Sequence, residues 1–179
     1  SMSGKRVEAL TVHEGFLYAS SNDGGHVYRF DGKTWRDCGR LGDNTQTYSF
    51  AQYEGKLHVG TWPSGRVFRL EKPGQWTNVG RLGEELEVMG MIVHNGALIA
   101  GTLPKAEVYR YDGGTNWKRL AQLDATPDVK YRRAWTMAEH EGEVFCSTLP
   151  SGKVFASSMG RQIQWGRSLS SKWHHVAVV

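Results

Sequence analysis

The run Lys130-Tyr131-Arg132-Arg133-Ala134-Trp135 gathers the side chains best suited to chemistry in this sequence. Arg132 and Arg133 could each hold a carboxylate or sulfate, because a guanidinium presents forked, coplanar hydrogen-bond donors. Lys130 adds a flexible cation, and Tyr131 and Trp135 supply aromatic faces. Trp62, inside Gly-Thr-Trp-Pro-Ser-Gly (60–65), is the other candidate. An exposed indole beside a pocket suits stacking on a sugar ring or on a partner's apolar knob. The competing structural readings are a solvated loop for 130–135 and packing over the core rim for Trp62.

Other chemistry is not indicated. His13, Tyr53, His94 and His140 hold equivalent positions in a repeat, and imidazoles so placed invite a metal ring. A tyrosine interrupts the set, so no metal is expected. Cys38 and Cys146 lie far apart, with no ligand spacing and no expected disulfide. Ser-His-Asp and Gly-rich phosphate motifs are absent, and paired carboxylates cannot be assigned without spatial separations. No catalytic residue and no cofactor is therefore expected.

The whole chain has 179 residues, 39% hydrophobic and 22% charged, which is the balance of a globular protein with a buried core. Its net charge of +4 is mild, and Lys and Arg are interspersed with acids. A nucleic-acid partner would require basic residues clustered on a face, so none is expected. No stretch reaches the roughly 18 apolar residues of a membrane helix. Seven Trp and 22 Gly suggest many short strands, tight turns and one large aromatic per strand pair.

What must position the candidates is a repeat. "SSNDGGHVYRF" (20–30), "GTWPSGRVFRL" (60–70), "GTLPKAEVYRY" (101–111) and "STLPSGKVFAS" (147–157) are versions of one phrase. Its valine recurs at 27, 67, 108 and 154, and a tryptophan recurs at 35, 76, 117 and 165. Two landmarks thus share a period of about 40 residues, the length of a four-stranded propeller blade. A strand opens each copy (7–13, 47–53, 88–94, 134–140), followed by Glu-Gly or Asn-Gly, which supplies the positive φ of a two-residue hairpin. Pro63, Pro104 and Pro150 fix φ in the turn to the third strand. One column of the opening strands is uniformly small (Ala9, Ser49, Gly90, Thr136) and its neighbour is large and apolar (Leu10, Phe50, Met91, Met137). Small groups suit strands crowding an axis, and large groups suit blade-to-blade packing.

The pattern resembles the kelch repeat, most clearly in "YEGKLHVGTWPSGRVFRLEKPGQWTNVG", with Gly60-Thr61 and Gly101-Thr102 where kelch has a double glycine. The resemblance implies a propeller used mostly for binding. "SNDGGHVY" also resembles the sialidase Asp-box through Ser21, Asp23, Gly25 and Tyr28, although the later copies lose the aspartate. In that family the boxes are structural turns, and catalysis needs an arginine cluster, a tyrosine with a glutamate, and an acid–base aspartate. Tyr131, Asp128, Arg132 and Arg133 are the residues that could be conscripted for it, but they share one loop. "KWHHVAVV" (172–179) resembles a strand of laminin-G or concanavalin-like domains.

The expected fold is an all-β propeller of four four-stranded blades, at about 7–42, 47–83, 88–123 and 134–169, either alone or within a larger propeller. Residues 1–6 read as a tag remnant and leader. Residues 170–179 read as a strand closing the ring, a further blade, or the start of another domain. The expected function is non-catalytic recognition of a glycan or protein by blade-rim loops, through Trp62, Lys130, Tyr131, Arg132, Arg133 and Trp135. The alternatives are a fragment of a sialidase-like hydrolase or polysaccharide lyase, and a structural module for a neighbouring domain. A monomer is favoured over a homodimer, and an extracellular or periplasmic location over the cytoplasm.

Overall fold

The computed structural model describes residues 4–157, and these contain fifteen strands and no helix. Blade 1 comprises β1 (Val7–His13), β2 (Phe16–Ser21), β3 (His26–Phe30) and β4 (Trp35–Arg40). Blade 2 comprises β5 (Gln46–Tyr53), β6 (Lys56–Trp62), β7 (Arg66–Lys72) and β8 (Gln75–Arg81). Blade 3 comprises β9 (Glu87–His94), β10 (Ala97–Leu103), β11 (Glu107–Tyr111) and β12 (Trp117–Gln122). In blade 4 the described strands are β13 (Arg133–His140), β14 (Glu143–Leu149) and β15 (Val154–Ser157). Every sheet is an antiparallel meander in chain order, so the molecule is a β-propeller of four blades. The fourth repeat tryptophan, Trp165, and the segment 172–179 lie outside the described residues.

The hairpins between first and second strands follow from their two loop residues. Glu14-Gly15, Glu54-Gly55, Asn95-Gly96 and Glu141-Gly142 all have positive φ at both positions. That is the twist a two-residue turn needs to match two right-twisted strands.

The core is not inside the blades but between them. Tyr18, Val27, Cys38 and Leu41 of blade 1 pack on Leu57, Val59, Phe68 and Leu70 of blade 2. Val67, Val79 and Leu82 of blade 2 pack on Val88, Leu98, Ala100, Tyr109 and Tyr111 of blade 3. Ile99 and Val108 of blade 3 meet Ala134 and Cys146 of blade 4. The repeated tryptophan clamps this seam: Trp76 Nε1–H donates to the Cys38 carbonyl and Trp117 Nε1–H to that of Val79, each at 2.8 Å. Each indole thus ties its own blade to the outer strand of the preceding one.

Approach is closest at the second strand. A Cβ on Gly60 would stand 2.5 Å from the Val88 carbonyl oxygen, and one on Gly101 would stand 2.6 Å from that of Ala134. In blade 1 Ser20 takes this position, and its hydroxyl donates to the Tyr48 carbonyl at 2.6 Å. The seam is therefore set by residues with almost no side chain, or with one that bonds its neighbour.

One local feature departs from simple alternation. β1, β5, β9 and β13 each carry a register shift, at Val7/Leu10, Thr47/Phe50, the Val88–Met91 stretch opposite Ala100/Thr102, and Ala134/Met137. The shift contains the small column, and it lets residues three apart face the same way. Large apolar residues on either side of it can therefore serve a single seam.

The Gly101→Ala variant is expected to lose about 1–3 kcal/mol, because the extra methyl meets backbone that cannot retreat. Chemical denaturation of the two proteins measures this loss directly.

Candidate functional site

The register shift points the first residues of the inner strands at a common centre. Gln46, Glu87 and Arg133 open β5, β9 and β13, and Tyr48 and Trp135 follow two residues into β5 and β13. The Tyr48 phenol is pushed well above its usual range, first by burial and then by the Glu87 carboxylate, with Glu8 adding and Arg133 opposing. Residues from all four blades thus act on one hydroxyl, which marks the mouth of the central axis. Tyr48 donates its hydroxyl proton to Gln46 Oε1.

Glu87 is buried, and desolvation raises its carboxyl above the ordinary 4.5 even though Arg133 and Tyr48 pull it down. Arg133 Nε stands 3.6 Å from Glu87 Oε1, close enough for ionic attraction but too far for a hydrogen bond. Neither atom has another hydrogen-bond partner among the described residues. The Arg133 guanidinium also lies 5.8 Å from the centroid of Trp135, whose side chain is 39% exposed. A buried donor and a buried acceptor without hydrogen-bond partners therefore lie beside a partly exposed indole.

The loop candidates divide. Lys130 sits 5.1 Å above the ring of Tyr131, which is 41% exposed, so both are on the surface. Arg132 is a strap: its N–H donates to the Pro104 carbonyl at 2.9 Å and its own carbonyl accepts from Ala106 N–H at 3.1 Å. Its guanidinium donates to the Thr126 carbonyl at 3.3 Å. Trp62 ends β6 half-buried, and its carbonyl accepts from Thr45 N–H at 3.1 Å. Its counterparts differ, Leu103 being buried and Leu149 exposed. Among the described residues no hydrogen bond, ion pair or ring contact joins Trp62 to the 130–135 run.

The repeated phrase shares its rim with the blade connections, and the polar residues of those connections are engaged in holding it. Asn44 Oδ1 accepts from Ser64 N–H at 3.1 Å, and Glu85 Oε2 accepts from Lys105 N–H at 3.0 Å and the Thr102 hydroxyl at 2.7 Å. Gly65, with φ +59°, leaves room for the Glu85 carbonyl, which would stand 2.1 Å from a Cβ. Asp124 accepts from the Thr126 hydroxyl and N–H, which holds its carboxyl below the usual range.

The histidine column does not form a ring. His13 Nδ1–H donates to Gln52 at 3.2 Å and His94 Nδ1–H to Glu139 at 2.6 Å, each across its own seam. Among the described residues no group of three potential metal ligands exists. A tyrosine nucleophile needs its hydroxyl made more acidic, whereas Tyr48 is made less so.

A second cleft, about 350 Å³, opens on the opposite rim between blades 2 and 3. His58 lies at its base, with Nδ1–H donating to the Lys56 carbonyl at 3.1 Å and Nε2 unpartnered. Its cations are already matched, since Glu71 pairs with Arg69 at 2.7 Å and Lys56 at 3.8 Å.

Sequence reasoning reached Arg133 and Trp135 but missed Gln46, Tyr48 and Glu87. The signal was a polar column, Gln46, Glu87 and Arg133, standing one position ahead of the first buried column.

No protein family matches this sequence, and no curated protein does. Solved structures do match in fold. The computationally designed Ika4 protein aligns with a TM-score of 0.60 at 12% identity, over 88% of this chain and 93% of that one. Virginiamycin B lyase from Staphylococcus aureus, in a catalytically inactive form with quinupristin, aligns with a TM-score of 0.64 at 11% identity, over 89% of this chain and 57% of that one. A chain of a nidogen–laminin complex aligns with a TM-score of 0.57 at 14% identity, over 85% and 75%. The chain thus spans little more than half of the lyase. Identities this low establish the propeller fold alone.

The raised Glu87 carboxyl gives a signed pH dependence. Below about pH 4.5 both folded and unfolded states carry it protonated, and the Glu87→Gln variant should track wild type. As pH rises through the folded-state pKa, wild type must ionise a buried acid and should lose stability relative to the variant. Urea midpoints of both proteins between about pH 4 and 8 measure the gap.

Proposed function

We propose that the propeller is a non-catalytic recognition module that binds a glycan at the mouth of its central axis. The carrying observation is a partly exposed Arg133 guanidinium, held by buried Glu87 and standing beside the exposed indole of Trp135. The Arg133 side chain is 31% exposed, so its terminal N–H groups can donate to a sugar oxygen while the ring lies on the indole. Burial of Glu87 strengthens its hold on Arg133, because the attraction acts where water competes poorly. Lys130 and Tyr131 extend the surface toward an acidic substituent. The resemblance of the repeat to kelch supports recognition over catalysis. Arg132 and Trp62 serve the scaffold in this reading.

A glycan array probed with wild type, Trp135→Ala, Arg133→Ala and Trp62→Ala tests the assignment. Trp135→Ala and Arg133→Ala should each weaken binding tenfold or more, about 1.4 kcal/mol, with Trp62→Ala near wild type. Turnover of fluorogenic glycosides by wild type, or retention of glycan by both axial variants, would overturn it.

A further inference from the structure

The three seams among the described residues share one template, and the first and last described blades each present half of it. β1 packs on β5, β5 on β9 and β9 on β13, but no described strand of blade 4 packs on blade 1 to that extent. The halves can be read column by column.

On blade 1 the uncovered half is the one that elsewhere faces the preceding blade. Thr47, Val88 and Ala134 stand second in β5, β9 and β13 and are fully buried, each against the second strand of the blade before. Their counterpart Val7 is 45% exposed. Leu10 and Val12 stand on the same face, 60% and 61% exposed. Trp35 is the counterpart of Trp76 and Trp117, but among the described residues it donates to no carbonyl.

On blade 4 the uncovered half is the one that elsewhere faces the following blade. Val27 and Val67 are 0% exposed and Val108 is 7%, whereas Val154 is 67%. Phe145 is half-buried where Tyr18, His58 and Ile99 are buried. Ser147 holds the notch position of Ser20, Gly60 and Gly101, where the next blade inserts its inner strand. His140 is exposed where His13 and His94 are buried and bonded across a seam.

We infer that a second copy of this chain docks head-to-tail, blade 4 of each copy against blade 1 of the other. Val7 then enters the Ser147 notch as Ala134 enters that of Gly101, Leu10 covers Val154, and His140 lies against Val12. A second copy continues the existing seams: each open half matches in shape and residue type the half missing from the other open blade. A heterologous contact forms a closed ring when its rotation closes, and the smallest ring of this kind contains two copies. Closure also removes the two apolar faces from water.

Light scattering on the intact chain should give twice the 20.1 kDa chain mass. Leu10→Lys and Val154→Glu should each give a monomer, with far-UV circular dichroism matching wild type to show that the blades are intact. Mixing the two variants should restore the dimer, since one seam is then wild type and the other pairs Lys with Glu. A wild-type monomer across concentrations would overturn the inference, as would assemblies larger than two. A dimer that persists in Val154→Glu, or a mixture that stays monomeric, would overturn the head-to-tail geometry.

Discussion

The limit on how closely two inner strands can approach governs this molecule. Blades pack face to face only if the second strand of one admits the backbone of the next, which is why a Cβ on Gly60 or Gly101 has no room. Once that distance is set, the rest of the seam follows. Valines on third strands, leucines after fourth strands and aromatics of the following blade reach one another and exclude water. The tryptophan then spans the outer edge, where blades diverge and only a large side chain can bridge the gap.

The repeat made the architecture legible because its columns encode neighbours rather than strands. Val27, Val67 and Val108 look alike because each meets the next blade, and Glu-Gly or Asn-Gly recurs because each hairpin needs two left-handed residues. The axial site was only partly legible. A propeller's centre is lined by one or two residues per blade, separated by some forty positions in sequence. Arg133 and Trp135 stood out because they sit in a basic, aromatic run, whereas Glu87 and Tyr48 are isolated letters in apolar strands. The inner-strand register shift hid them further, since strict alternation assigns the wrong face on one side of it. Arg132 illustrates the opposite limit: its backbone pairs with Pro104 and Ala106 and its bond to Thr126 are local geometry that sequence does not express.

The rim shows how one surface serves two demands. Asn44 and Glu85 are polar residues in loops, the usual place for recognition, yet each holds the turn of the next blade, Glu85 through one of its two oxygens. Rim side chains are thus tied to the scaffold, while at the axis Glu87 and Arg133 face each other at 3.6 Å.

The indole clamps also bear on how the chain acquires its shape while it is being made. Trp76 bonds backward to Cys38 and Trp117 backward to Val79, so each clamp closes on a segment that has already left the ribosome. Blade 1 nonetheless cannot shelter Tyr18 and Val27 until Leu57, Val59 and Phe68 emerge. Assembly therefore advances one petal behind synthesis, each newcomer sealing its predecessor and leaving its own flank bare.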